Sequence, residues 1–316
     1  MNVTVVGSIN IDTVAVTDKY PKRGQTIFGN KIEYLPGGKG ANQATAVARL
    51  GKSANMIGAI GNDIYGDKLV DSLKESNVNT YFIKRSDSLA TGTAIITIDQ
   101  TAENTMLVLK GANEDLNIND VENAFNKIHD SEVLLVQMEV PQDTVIRAMQ
   151  LAKEKGMYVI LDPAPAEGIT IKALDYADIV TPNRQETYYM LGIDVVDIDN
   201  ALMAAETFEN MGIKNSIIKM GDKGSVVYQS GEWEYIPSIS VEAVDSVGAG
   251  DAFAGALACA ITNGCDLVSA AHFATAVGAL KVTKLGAQMG IPTIDEVNDF
   301  CKKKGLTHCY LKESSV

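Results

Sequence analysis

From Ser131 onward the chain switches repeatedly between two hydrophobic periods, and this restricts the fold more than any other feature of the sequence. Val133 to Gln137, Tyr158 to Asp162 and Ile179 to Thr181 are short apolar runs of the kind that form strands buried on both faces. Between the first two lies a helical stretch from about Pro141 to Lys155; Pro141 suits the first turn, and Gly156 suits the position just past the end. Strand, helix and strand in succession call for parallel pairing, with helices covering the sheet. The expected fold class is α/β, with a central, mostly parallel sheet flanked by helices on both faces.

The N-terminal part reads consistently with this. Val3 to Ile9 is a further buried strand whose end carries Asn10 and Asp12, and in open α/β sheets that end faces ligand. Ala41 to Leu50 reads as a helix stopped by Gly51. Residues 13–34 and 92–109 differ, because in the second stretch two alternating runs flank a polar turn at Gln100 to Glu103, which is a hairpin signature. Hairpins inserted into an α/β unit need cover for their second face and often serve as a lid or an interface. No repeat or linker divides the chain, so the expectation is one domain over 1–316, with a small β-sheet lid formed by 13–34 and 92–109.

Charge and composition narrow the function classes. Forty acidic against twenty-seven basic residues give a net charge of -13, which disfavours nucleic acid and anionic membrane surfaces as partners. No apolar run approaches the roughly 20 residues that span a bilayer, and the N-terminus has no basic leader region, so a cytoplasmic protein is expected. Cys259, Cys265, Cys301 and Cys309 lack CxxC spacing, and His129, His272 and His308 lack HExxH spacing, so neither a zinc site nor a disulfide framework is indicated.

Two glycine-rich turns carry the chemistry. In Asp245-Ser246-Val247-Gly248-Ala249-Gly250-Asp251-Ala252-Phe253, small residues precede an apolar helix running through Ala254 to Ile261. They leave backbone NH groups open at the positive end of the helix dipole, with a carboxylate in its first turn. The result is an anion cradle beside a base, as phosphoryl transfer to a hydroxyl requires, although a tight loop with a favourable charge would look the same. In Gly37-Gly38-Lys39-Gly40-Ala41-Asn42-Gln43 a second such turn offers Lys39 and Asn42. Together with Asn10, Asp12 and Glu139, this makes a set rich in acceptors, which suits a neutral polyhydroxyl ligand. Ala46 to Ser53 approaches the P-loop pattern but lies at the end of a helix, where it would present carbonyls to a phosphate.

Those two turns, in this order, resemble the paired signatures of the ribokinase-like (PfkB) carbohydrate kinases, and the resemblance covers nearly the whole chain. It extends to Gly7-Ser8-Ile9-Asn10-Ile11-Asp12, Gly111-Ala112-Asn113, Gln137-Met138-Glu139-Val140-Pro141, Asp162-Pro163-Ala164-Pro165-Ala166, Thr181-Pro182-Asn183 and Gly286-Ala287-Gln288. It implies a ribokinase-like fold and transfer of the ATP γ-phosphoryl to the 5-hydroxyl of D-ribose. Asn10, Asp12, Gly38, Lys39, Gly40, Asn42 and Glu139 match sugar-binding positions, Asp251 the base, and Gly248, Ala249 and Gly250 the anion hole. Asn183, Lys219, Gly221, Gly224, Gly250 and Thr275 match positions around ATP, and Glu186 one that organises Mg2+ indirectly. Asp245 and Val247, with Lys281, Lys284, Gly286 and Gly290, match the two halves of a site for a monovalent cation, K+, in which the lysines would contribute backbone carbonyls only. The resemblance also implies a homodimer formed through the lid. Gly290 in place of serine, Thr275 in place of histidine or asparagine, Lys219 in place of threonine and Arg184 in place of an acidic residue depart from the family pattern. A kinase for deoxyribose, a nucleoside or a hexose is the alternative within the family, and a non-catalytic sugar-binding protein the alternative outside it.

Overall fold

The computed structural model describes residues 2–100, 104–168 and 170–306. Fourteen strands are assigned among them: β1 Asn2–Val6, β2 Asn10–Val16, β3 Lys31–Gly37, β4 Ser53–Gly61, β5 Val78–Asn79, β6 Ile83–Ser86, β7 Gly92–Ile98, β8 Asn104–Leu109, β9 Ser131–Val136, β10 Tyr158–Leu161, β11 Ile179–Val180, β12 Asn215–Lys219, β13 Ser225–Gln229 and β14 Glu232–Ile236. The helices are α1 Lys39–Arg49, α2 Ile64–Glu75, α3 Ile118–Phe125, α4 Gln142–Glu154, α5 Arg184–Leu191, α6 Ile198–Asn210, α7 Ala249–Thr262, α8 Leu267–Lys281 and α9 Ile294–Lys304.

The central sheet runs β14-β13-β12-β11-β10-β9-β1-β4-β5, with β6 also pairing β4. Pairing is parallel from β12 through β5, while β13 and β14 close one edge as antiparallel strands. Side chains of alternate residues on one strand enter opposite cores, as the pleat requires. Val133 and Leu135 join the core formed with α1, α7, α8 and α9, whereas Leu134 and Val136 join the one formed with α3, α4 and α6. The layers are therefore those expected from the sequence.

The second sheet, ordered β3-β2-β7-β8, is the lid, and it is larger than expected. Asn10 pairs with Gly37 and with Gly92, so the lid includes residues 10–37 rather than 13–34. β1 correspondingly ends at Val6, and Asn10 and Asp12 lie in the first lid strand rather than at the end of a central one. Gly7 explains the break, since a Cβ there would stand 2.0 Å from Gln137 Oε1 and 2.9 Å from Gly40 Cα. The turn between β7 and β8 falls partly on 101–103, outside the described residues, as do Cys309 and His308.

Small residues set how closely α1 and α7 approach. A Cβ on Gly255 would stand 2.5 Å from Ala46 Cβ and 3.0 Å from Gln43 O, so the two helices touch at their backbones. That contact brings the first turns of both helices, with Asn42, Gln43 and Asp251, to one place. Helix α1 begins at Lys39, two residues earlier than expected, and Gly51 follows its end at φ 85°, so the P-loop-like stretch does lie at a helix C-terminus.

Candidate active site

Asp251 occupies the first turn of α7, whose N-cap is Gly248 at φ 80°. Such a backbone favours glycine, and a Cβ there would also press on Ala287 Cα at 3.0 Å. The Asp251 carboxylate accepts from Asn42 Nδ2 at 2.8 Å and from Gln43 Nε2 at 3.2 Å. Burial pushes its pKa up, against the pull of Lys39 and the Asn42 hydrogen bond. Burial also works against the Lys39 ammonium, but Asp251, Glu139, Asp162 and Glu186 outweigh it and raise its pKa.

The acceptors expected for a sugar gather around this pair. Asp12 is pushed up to about 7 by burial, with Glu139 and Asp251 adding to the shift and Lys39 opposing it. A Cβ on Gly37 would stand 2.2 Å from Asp12 Oδ2, and one on Gly38, at φ 88°, would stand 2.7 Å from the Asn10 nitrogen. These glycines let the turn close over the lid strand. Glu139 is raised by burial and held by the Ser8 hydroxyl and, at 3.4 Å, by the Lys39 backbone NH. Asn10 Oδ1 accepts from Asn113 Nδ2 at 2.7 Å, and Asn113 Oδ1 accepts from the Ile9 NH at 2.9 Å.

Toward the expected nucleotide side, Asn183 caps α5 in a reciprocal box. Its backbone NH and Nδ2 donate to Glu186 at 2.7 and 2.8 Å, while its Oδ1 accepts from the Glu186 NH at 2.9 Å. Burial raises Glu186 to about 7, with Lys219 opposing and Asp162 reinforcing. Lys219 donates from Nζ to Asp162 Oδ1 at 3.1 Å, and the same Nζ would stand 3.9 Å from a Cβ on Gly250. Lys219 therefore presents its charge beside the Gly248-Ala249-Gly250 turn. Asn183, Lys219 and Gly221 line a surface cavity of about 540 Å³. Gly224, at φ 86°, cannot carry a Cβ because Ile236 O would stand 2.2 Å away. Arg184 turns aside to a two-pronged pair with Asp194 at 2.5 and 2.8 Å. Thr275 is in α8, its hydroxyl donating to Ala271 O at 2.8 Å.

Three buried groups join the two halves and were assigned no role from the sequence. Gln43 donates to both Asp251 and Asp162, and accepts from Gln137 Nε2 at 2.5 Å. Asp162 in turn receives Lys219. Buried polar side chains beside a glycine-rich turn were the available signal: Gln43 lies inside the quoted turn, and Asp162 heads the Asp-Pro-Ala-Pro stretch.

The region expected to hold K+ departs from expectation in one respect. Lys281 is fully buried, and its side chain, rather than its carbonyl alone, enters the site. Nζ donates to Asp245 O at 2.9 Å and to Lys284 O at 3.5 Å, with Asp245 Oδ2 at 3.8 Å. Burial lowers its pKa from the ordinary lysine value, while Asp245 and Asp251 oppose the change. The ammonium stands on carbonyls expected to ligate the ion, so these residues do not fit a monovalent cation as well. Among the described residues no cluster of three His, Cys, Asp or Glu side chains suits a directly held metal either. Cys259 is buried and inert, its thiol pushed up to about 12 by that burial.

The pfkB family carbohydrate kinase model matches residues 1–294. The chain belongs to this family. It is 37% identical to the ribokinase of Haemophilus influenzae over 94% of its length and 97% of that protein. It is 32% identical to the deoxyribokinase of Salmonella typhi, with 95% and 98% covered. The Arabidopsis thaliana ribokinase, solved in complex with ribose and ATP, superposes with a TM-score of 0.87 at 29% identity, covering 95% of this chain and 98% of that one. The fold is thus ribokinase-like, and this pfkB-family chain is a carbohydrate kinase, a phosphotransferase with an alcohol group as acceptor.

Proposed function

We propose that the chain transfers the γ-phosphoryl of ATP to the 5-hydroxyl of D-ribose, giving D-ribose 5-phosphate and ADP. The observation that carries this reading is the Asp251 carboxylate, held by Asn42 and Gln43 in the first turn of α7, directly after the Gly248-Ala249-Gly250 NH groups. In this reading Asn10, Asp12 and Glu139 accept hydrogen bonds from sugar hydroxyls, while Lys39 and Asn42 orient the ring. Asp251 takes the proton of the attacking hydroxyl, and burial, by raising its pKa, makes it a stronger base than an exposed carboxylate. The Gly248 and Gly250 NH groups, with the Ala249 NH turned onto Ser246 O at 3.2 Å, and the Lys219 ammonium stabilise the charge that grows on the transferred phosphoryl.

Asn183, Gly221, Gly224 and Thr275 would border ATP. Glu186 and Asp162, both already hydrogen-bonded, fit Mg2+ held through water rather than directly; bound there, Mg2+ supplies neutralisation of phosphate charge. A homodimer through the lid is part of the proposal, supported by Ile32, Met106, Leu107 and Leu109, each more than half exposed on that sheet. So is a cytoplasmic setting, where ATP is abundant; no described helix is long and apolar enough to cross a membrane.

The test is ADP release measured with ribose, deoxyribose, nucleosides and fructose 6-phosphate. The highest kcat/KM is expected with ribose. A higher value with deoxyribose or a nucleoside would overturn the assignment of substrate. Sugar binding without ATP consumption at any magnesium concentration would overturn the kinase reading for a non-catalytic one.

A further inference from the structure

We infer that Lys281 is a built-in replacement for a monovalent cation: its ammonium, seated on the Asp245 and Lys284 carbonyls, holds the anion-hole loop in its working shape without any bound ion. The inference rests on the proposed kinase reading for its turnover arm alone.

Three observations meet at this point. First, the ammonium is wholly buried yet has oxygen partners, Asp245 O at 2.9 Å, Lys284 O at 3.5 Å and Asp245 Oδ2 at 3.8 Å. A buried charge persists only where it is paired and hydrogen-bonded. These partners come from the segments before α7 and after α8, so one group clamps two loops together.

Second, Gly290 makes the room. A Cβ at that position would stand 3.1 Å from Lys281 Cε, 3.1 Å from Lys284 O and 2.7 Å from Gly286 O. A serine there would displace the lysine stem or the carbonyl loop. The absent side chain at 290 and the long one at 281 are therefore complementary.

Third, the clamp leads directly to the anion hole. Asp245 Oδ1 accepts from the Val247 NH at 2.9 Å, and Oδ2 accepts from the Gly286 NH at 2.8 Å. Gly248, next in the chain, lies against Ala287 of the same post-α8 loop. Neutralising Asp245 from behind thus secures both sides of the turn that presents the Gly248 and Gly250 NH groups. Lys281 reaches no expected substrate position, so it is a positioning residue.

The experiment compares the whole chain with Lys281→Ala, which vacates room for an ion, and Lys281→Met, which keeps the stem without the charge. Turnover and Tm are measured in potassium, sodium and tetramethylammonium salts at equal ionic strength. For the unsubstituted chain both are expected to be the same in all three. Lys281→Ala in sodium should lose about ten- to a hundredfold in kcat, with KM for the sugar little changed. Potassium should restore most of that loss and raise its Tm. Lys281→Met should show the same kcat loss without restoration, because its stem still fills the space.

Activation of the unsubstituted chain by potassium of more than a few fold would overturn the inference. So would a Lys281→Ala chain with full turnover in sodium, or one that no monovalent ion restores in turnover or Tm. If Lys281→Ala does not fold, Lys281→Met decides: unchanged kcat refutes the role, and a lowered kcat at steady KM supports it. If no sugar is phosphorylated, the kinase reading fails, and the ion-specific Tm shift of Lys281→Ala still decides what occupies the site.

Discussion

Replacing Asp251 with Asn separates catalysis from architecture, because the pocket can absorb the amide. The carboxylate now accepts two hydrogen bonds, from Asn42 and Gln43. An amide in its place has one oxygen to accept, so one partner would face an NH2 group. Asn42 Oδ1 is buried without a hydrogen-bond partner, so a flip of the Asn42 amide turns that clash into a normal bond. The structural cost is then about 0.5–1.5 kcal/mol, that of one rearranged neutral hydrogen bond. Loss of a general base costs about 100- to 10,000-fold in rate, which at about 1.4 kcal/mol per decade is roughly 3–6 kcal/mol of barrier. Asp251→Asn should therefore fold, bind ribose in calorimetry to within about tenfold of the unsubstituted chain, and show kcat reduced by that factor in a coupled ADP-release assay. Near-normal kcat would refute the role of base, and loss of sugar binding in a folded variant would refute the separation of roles.

Other expectations are independent of this one. Gly255→Val should lower Tm sharply, by about 1–3 kcal/mol or more of stability, because its Cβ meets Ala46 Cβ at 2.5 Å and both helices are fixed; an unchanged Tm in calorimetry would contradict the backbone contact. Asp12 has a folded-state pKa of about 7 against an ordinary 3.8, so the folded chain binds more protons than the unfolded one between those values. Its contribution to stability is thus complete below about pH 4 and lost as pH rises through about 7, and Asp12→Asn should flatten Tm against pH over that window. Leu107→Lys with Met106→Lys should halve the mass seen by light scattering if the exposed lid face joins two copies; an unchanged dimer mass would place the interface elsewhere.

Much of the site was legible because its parts are local. Glycine before a helix, followed by a carboxylate in the first turn, is a pattern contained in contiguous residues, and the structure has Gly248 as the N-cap of α7 with Asp251 in its first turn. Likewise, alternate burial of Val133, Leu134, Leu135 and Val136 follows from strand geometry once the apolar run is recognised. The Lys39 turn needed only its own glycines. Gln43 and Asp162 were quoted without a role, since nothing local to either names a partner 208 or 119 positions away.

By itself the sequence determined the layered α/β plan, the two glycine-rich turns and their order, because hydrophobic period and backbone freedom act over a few residues. Tertiary structure decided three further points. It moved Asn10 and Asp12 into the lid, since close packing of Gly7 against Gln137 and Gly40 ends the first central strand early. It wired Asp251 to Asp162 and Lys219 through Gln43, since α1 and α7 meet at their backbones. It also turned Lys281 inward onto carbonyls, where Gly290 leaves the space. A lysine's direction depends on where its charge finds oxygen, and those oxygens come from separate loops brought together by the fold.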